Sequence, residues 1–430
     1  MEYISLGIFV IVALRGVLWG MEQRARLFQL PFLFGLGSLA FVVPQLIIYL
    51  VSKQHHTTLD VSGYLLWSSA CVLCAYWGYA KKVELKKVRY LIRLGGANMV
   101  LSGLACLVVA CFSVVLSHHL TYGPGGAGRI TGGFMALIYM LVKLAMPLFI
   151  LSLCLVNLRV KNAWFKFFAI LSGVIIAYFI IVLGRRQWLF VAMYAAVFPL
   201  LLTGRLRVNK ISRWLLTILV VLIIPVVIIL LPAYRDQFMD PNLSVSDVIE
   251  REPPAKVIGE YLSGEQNLEI EQSVLEFKLA VQHGSIRWGA GIWNGCVWHY
   301  VPAFLVGSQM KQSLLLNDGR AALYSSPLQH DVEYLSYISK SGFADSFSEF
   351  GPFGLLLYYF MGRLYRKETD SWLLAKNIKS YVFIVMFGFY PLLFIYGSWS
   401  TFLTLALLPY LVYLFFCKMV LKAKSFKPSR

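Results

Sequence analysis

Charge is scarce in this sequence, and negative charge is confined largely to one segment. Asp, Glu, Lys and Arg make up 14% of the 430 residues, while 59% are hydrophobic. An ordinary soluble domain carries about 25% charged residues, so the balance excludes a water-soluble globule, a disordered chain and a coiled coil. It leaves an integral membrane protein. Cysteine is sparse too. Of seven, Cys71, Cys74, Cys106, Cys111 and Cys154 lie in apolar stretches, Cys417 stands near the C-terminus, and Cys296 alone falls in polar sequence. That distribution builds neither a disulfide framework nor a zinc ribbon, and Cys71 and Cys74, one helical turn apart, read as packing residues. The glycine-rich Gly123–Gly128 lacks the Gly-Lys-Ser/Thr of a phosphate loop, and no His-Glu-x-x-His or Gly-x-Ser-x-Gly is present. No internal repeat divides the chain, which counts against a transporter built from inverted halves. No acidic residue at ligand spacing accompanies the pairs His55-His56 and His118-His119, which counts against a metal site there, and no cofactor is expected.

What is present is apolar length. A helix needs about 20 mostly apolar residues to cross roughly 30 Å of hydrocarbon. Eleven runs of about that length stand near 3–19, 29–51, 62–80, 97–117, 133–156, 166–183, 187–203, 214–233, 350–364, 380–396 and 400–417. Between the eighth and ninth, Pro232–Glu349 is the only stretch long enough for an extramembrane domain. The short loops sort by charge. Segments 20–28, 81–96, 157–166, 204–213, 363–379 and the tail from Lys418 hold 25 Lys and Arg, whereas 53–61, 117–132, 184–187 and 397–399 hold 4. By the positive-inside rule the first set and the C-terminus are cytoplasmic, and the N-terminus and the long segment are outside.

The long segment contains 15 of the 21 acidic residues and 8 basic ones, so its net of −7 leaves +25 on the remainder of a chain whose total is +18. The excess is therefore cytoplasmic anchoring and not a nucleic-acid surface. The expected fold is all-α: a polytopic membrane helical bundle of about 11 transmembrane helices with one large extracytoplasmic helical loop. Residues 1–233 supply eight helices, 234–349 the loop domain, and 350–430 three helices and a basic tail. Glu2, instead of a basic leader, precedes the first run, which reads as a retained helix. Gly291–Val306 is apolar but short and is interrupted by His299 and Pro302. It reads as interfacial or re-entrant, because a crossing there would carry Arg363, Arg366 and Lys367 outside.

All seven histidines (His55, His56, His118, His119, His283, His299 and His330) fall on the outer side under this topology. The adjacent pairs read as solvated loop ends, leaving His299 and His330 as the better functional candidates. Arg15 and Lys143 stand within apolar runs, where a charge needs compensation. Arg15 reads as snorkelling to the interface, and Lys143 as facing a polar interior. Arg185 and Arg186 end the sixth helix in a four-residue turn. They either bond lipid phosphates or form a guanidinium fork for a diphosphate, and Arg235 repeats the arrangement after the eighth helix.

Within the long segment, Leu268–Val281 has apolar residues at helical spacing, and its Glu269, Glu271 and Glu276 read as a solvated face. Arg287, Arg320 and Lys340 add positive groups. Ser341–Arg363 then runs a polar turn into the ninth helix with Asp345 and Glu349 at its mouth. Carboxylates there cap the helix, bind a sugar hydroxyl or serve as a base. Trp288, Trp293, Trp298 and Tyr300 stack on sugar faces or anchor at the interface.

Four features together resemble the O-antigen and oligosaccharide repeat-unit polymerases of bacterial envelopes, membrane glycosyltransferases of the broad class that includes the O-antigen ligases. They are the eleven spans with one late outer loop, the helix-ending Leu183-Gly184-Arg185-Arg186, the aromatic Trp298-His299-Tyr300-Val301-Pro302, and the run from Gly342 to Gly354 entering the ninth helix. The resemblance implies transfer of a glycan from undecaprenyl diphosphate to a sugar hydroxyl of another lipid-linked repeat unit, at the outer face of the bacterial cytoplasmic membrane. It implies neither a nucleotide sugar nor an obligatory metal. Undecaprenyl-diphosphate-linked oligosaccharides and membrane lipids are the partners it suggests, with a chain-length regulator and a flippase, and without nucleic acid.

On that reading Arg185, Arg186 and Arg235 stabilise the diphosphate, because an arginine keeps its charge at any physiological pH. His330 accepts the acceptor proton, with Asp345 and Glu349 as competitors. Arg287, His299, Tyr300, Arg320 and Lys340 contact sugar or other parts of the substrate. The Arg-to-Gly spacing described for the family's outer loops is not evident. The rival readings are a lipid-linked oligosaccharide flippase, another transferase such as an O-antigen ligase or an O-acyltransferase using His55 or His56, and a non-catalytic export partner. Charge gathered at the outer rim argues against the flippase.

The topology carries a direct test. A thiol reagent that cannot cross membranes is expected to label Cys296 in intact cells and to spare Cys417; the reverse pattern would invert the assignment.

Overall fold

The fold is that of a computed structural model describing residues 1–51, 61–82, 89–122, 133–183, 186–205, 250–263, 269–284, 286–317 and 341–424, with 209, 211–215, 217, 218, 222, 226 and 230. The chain is almost entirely helical. In its first half α1 spans Glu2–Glu22, α2 Leu30–Gly37, α3 Val43–Val51, α4 Val61–Ala80, α5 Leu94–Tyr122, α6 Gly133–Val142, α7 Ala145–Asn157, α8 Ala163–Leu183 and α9 Arg186–Leu202. The second half contributes α10 (Pro254–Ser263), α11 (Glu269–His283), α12 (Ala290–Tyr300), α13 (Gly342–Phe350), α14 (Gly354–Ala375), α15 (Ile378–Phe387), α16 (Tyr390–Tyr396) and α17 (Trp399–Val420).

Among the described residues six helical stretches are long and apolar enough to cross a membrane: Glu2–Glu22, Leu30–Leu50, Leu94–His118, Leu137–Asn157, Ala163–Ile180 and Ile378–Ile395. Their outward faces fit hydrocarbon. On α1 the exposed side chains include Ile4, Ile8, Ile11, Leu14 and Leu18, whereas Phe9, Val12, Ala13 and Val17 are buried. A helix apolar on both faces has lipid on one and protein on the other. The chain is a multi-pass helical membrane protein.

Prolines decide where the apolar runs bend. Pro44 cannot donate to the carbonyl of Ala40, and the run through 29–51 widens into a π-helical turn at Ser38–Val42 before α3. Pro147 likewise cannot donate to Lys143, and the run through 133–156 breaks between α6 and α7 at Lys143 and Leu144. α14 outlasts its apolar run. It continues through Arg366 and Asp370, an i,i+4 ion pair with Nε–Oδ2 of 2.5 Å, and ends at Lys376 in the left-handed region.

α4 and α14 touch backbone to backbone. A Cβ on Gly78 would lie 2.1 Å from the Tyr359 carbonyl oxygen, and one on Gly362 would lie 2.2 Å from that of Ala75. Small residues are what permit apolar helices to approach so closely. The all-helical expectation needs one addition, a two-stranded antiparallel ribbon of β1 (Arg89–Ile92) and β2 (Leu421–Lys424), with Arg89 opposite Lys424 and Ile92 opposite Leu421. It brings the approach to α5 and the far end of α17 together at one end of the bundle.

Candidate functional site

The run from Ser341 forms its own helix, α13, instead of the first turn of α14. Ser341 caps it, its Oγ accepting from the Ala344 amide at 3.4 Å, and Gly351 at φ +56° separates it from α14. The same Ser341 Oγ lies 2.8 Å from the Tyr64 hydroxyl, and the Ser341 amide donates to Ser273 Oγ at 2.8 Å. Trp67 Nε1 donates to the Phe343 carbonyl at 2.8 Å. Phe347 packs edge to face on Trp67 and tilted against Phe277 beside these bonds. α13 is thus pinned between α4 of the bundle and α11.

Asp345 and Glu349 stand four residues apart on one face of α13 and are completely buried. Both meet Arg287. Its Nη2 lies 3.1 Å from Asp345 Oδ1 and its Nη1 3.1 Å from Glu349 Oε1, while Nη2 also pairs with Glu276 Oε1 from α11. Main-chain bonds lock the geometry. The Arg287 amide donates to the Ser348 carbonyl at 2.8 Å and the Gly289 amide to that of Glu349 at 3.2 Å. Glu349 Oε2 then accepts from the Gly291 amide at 3.1 Å, which puts a carboxylate at the N-terminus of α12, where the helix dipole favours it. Only glycine fits at 291, since a Cβ there would stand 1.9 Å from Glu349 Oε1.

α12 starts at this cluster and runs along α17, ending at Tyr300, whose phenol meets the backbone at Leu408. Burial raises that phenol above its ordinary value, with the Leu408 bond working against the rise. The apolar Gly291–Val306 segment is accordingly packed on the bundle. The chain then folds back over α12 through short helical turns at Ala303–Val306 and Ser308–Ser313. Asn294 holds the returning strand in both directions, Nδ2 donating to Leu316 O at 2.9 Å and Oδ1 accepting from Leu316 N at 2.8 Å, and Trp293 Nε1 donates to Leu314 O at 2.7 Å.

Between this hairpin and α6 lies a pocket of about 270 Å³, lined by Lys143, Lys311, His299, Trp298, Tyr139 and Tyr300 among others. Lys311 Nζ sits 4.9 Å from the Trp298 ring centroid and donates to the Trp298 carbonyl at 3.0 Å, and Lys143 Nζ is 5.9 Å from the Tyr139 ring. His299 Nδ1 lies 2.8 Å from the Gly295 carbonyl, an acceptor to which it donates. Cations beside aromatic rings suit a ligand that is both anionic and carbohydrate.

The structure therefore brings Arg287, Asp345 and Glu349 together, and sets His299 and Tyr300 in a separate pocket at the other end of α12. Arg185, Arg235, Arg320, His330 and Lys340 lie outside the described residues. Arg186 opens α9, but its side chain is also outside them. One expectation is overturned. Glu271 and Glu276 are not a solvated face: they are only 7% and 6% exposed, Glu276 because Arg287 pairs with it and Glu271 on the side of α11 that meets Tyr49 of α3, while the Glu269 side chain lies outside the described residues. Lys143 is legible in the sequence as a charge facing a polar interior. Lys311 is not, because only the fold-back places it on Trp298. Among the described residues no group of three His, Cys, Asp or Glu is arranged to hold a metal. No family model, curated protein or solved structure matches the chain.

Removing one partner from a buried charge cluster typically costs about 3–5 kcal/mol. Glu349→Ala is expected to lower the melting temperature of the purified protein in detergent more than Glu349→Gln, which keeps an acceptor for the Gly291 amide. Equal melting of wild type and Glu349→Ala would deny the cluster its pinning role.

Proposed function

We propose that this protein is a membrane glycosyltransferase that polymerises undecaprenyl-diphosphate-linked oligosaccharide repeat units into a surface polysaccharide. In this reading the chain crosses the bacterial cytoplasmic membrane eleven times, with the 234–349 segment outside and the C-terminus inside. The observation that supports it best is the pocket where Lys143, Lys311 and His299 meet the rings of Trp298, Tyr139 and Tyr300. Phosphate and sugar are the two chemistries such a lining accommodates together.

In the proposed reaction the acceptor hydroxyl attacks the anomeric carbon, the bond from that carbon to the diphosphate breaks, and the hydroxyl proton passes to a base. Arg185, Arg186 and Arg235 receive the charge that develops on the leaving diphosphate. Asp345 Oδ1 and the two Glu349 oxygens are engaged by Arg287 and the Gly291 amide, so these carboxylates are assigned to positioning α12, and His330 is assigned as the base. Lys143 and Lys311 hold an anionic part of the substrate, and Trp298 and Tyr300 lie against its sugars.

The test is the envelope glycan of a deletion strain complemented with variants. Arg186→Ala and the double change Lys143→Ala with Lys311→Ala are expected to cut polymer on the order of 100-fold at unchanged membrane abundance, leaving single repeat units on the surface. Full-length polymer from both variants would remove the charges from the mechanism. Loss of every outward-delivered unit in the deletion strain would favour the flippase.

A further inference from the structure

At the basic end of the bundle, α1, α4 and α14 leave a cleft of about 600 Å³ that the glycosyl-transfer reading does not use. Arg15, Trp19, Tyr76, Trp77 and Arg366 line it, with Leu73 on an apolar wall. Arg15 stands seven residues before the end of α1, about 10 Å along a membrane-crossing helix at 1.5 Å per residue. It is exposed, and among the described residues it makes neither an ion pair nor a hydrogen bond. A charge at such a depth calls for a partner. The acids of the neighbouring ion pairs are already engaged: Glu22 pairs with Arg26, and Asp370 holds Arg366 Nε at 2.5 Å.

The Tyr76 hydroxyl is an independent sign of a missing ligand. It is buried without a hydrogen-bond partner, pressed against α1 where a Cβ on Gly16 would lie 2.1 Å away. A phenol shut away from water without a partner is costly unless something else bonds it. Around the mouth, cations alternate with rings. Arg26 lies 4.6 Å over Trp19, Lys81 5.5 Å over Trp77 and Arg366 5.3 Å over Tyr79. Interleaved tryptophan and basic side chains mark the level of lipid headgroups.

We propose that this cleft is a binding site for an anionic phospholipid. The headgroup phosphate bonds Arg15 and the remaining guanidinium nitrogens of Arg366, Tyr76 donates its hydroxyl to a phosphate oxygen, and an acyl chain follows Leu73. The site stands whether or not the protein transfers sugars. Phosphate is the shared chemistry, and the apolar wall favours a lipid as its source.

The test uses the full chain in nanodiscs of phosphatidylethanolamine doped with phosphatidylglycerol, with retained lipid counted by native mass spectrometry. Wild type and Arg15→Lys are expected to retain one phosphatidylglycerol in preference to phosphatidylethanolamine, and Arg15→Gln to lose about tenfold in retention, the value of one charge-assisted bond. Tyr76→Phe, which keeps the ring and its packing, is expected to reduce retention several-fold at unchanged melting temperature. Equal retention by wild type, Arg15→Gln and Tyr76→Phe would overturn the site. Displacement of phosphatidylglycerol by inorganic phosphate or glycerol phosphate at comparable concentration would overturn the lipid assignment in favour of a free phosphate.

Discussion

A guanidinium taken out of water must have its donors met by fixed acceptors, and Arg287 meets that demand with carboxylates from two other helices. Glu276 comes from α11, Asp345 and Glu349 from α13, and the arginine itself from the turn that launches α12. Few arrangements of these helices bring all three carboxylates onto one guanidinium. The arrangement adopted also uses the backbone, since the amides of Arg287, Gly289 and Gly291 all end on α13. Apolar packing alone does not select one rotation of a short helix over another, whereas a charge cluster of this kind does so sharply.

What is fixed in turn is the pocket. α12 begins under Glu349 and ends at Trp298, His299 and Tyr300, so any shift at its start is carried along a rigid rod to the lining of the pocket. The fold-back through Asn294 then sets Lys311 over Trp298. The bundle contributes Lys143 at the break that Pro147 imposes between α6 and α7. A break in a membrane helix exposes polar backbone, which is tolerated beside protein or a polar cavity, and the pocket lies beside this one. Candidate chemistry therefore sits where two independent devices, an ion cluster and a proline break, bring separate stretches of chain together.

The class of fold is legible in the sequence because hydrocarbon imposes length and composition directly, and the α11 helix is visible in its apolar spacing. Pro44 and Pro147 mark the bends, yet a hydropathy run passes through them unbroken. The polar face of α11 misleads for a physical reason: an amphipathic pattern records which residues avoid lipid or core, not whether the opposite side meets water or another protein surface. Glu276 faces Arg287, eleven positions away along the chain, and Asp345 lies fifty-eight beyond that arginine, and no local pattern encodes such a meeting. Arg287, Asp345 and Glu349 each stand out by residue type and place, but their mutual contact belongs to the tertiary structure. The spacing of Trp298 and Lys311 likewise acquires meaning only once the chain doubles back.

The small ribbon of β1 and β2 has a consequence for biogenesis. More than three hundred residues separate Ile92 from Leu421, so at about 5–20 residues per second β1 waits from roughly a quarter of a minute to a minute for its mate. During that interval its hydrogen-bonding edge is open, guarded by the lysines and arginines around it, a common protection for an unmated strand. Pairing becomes possible only after α17 has been made and its far end has emerged beside β1. The ribbon is thereby a latch that closes when the last helix has reached its place.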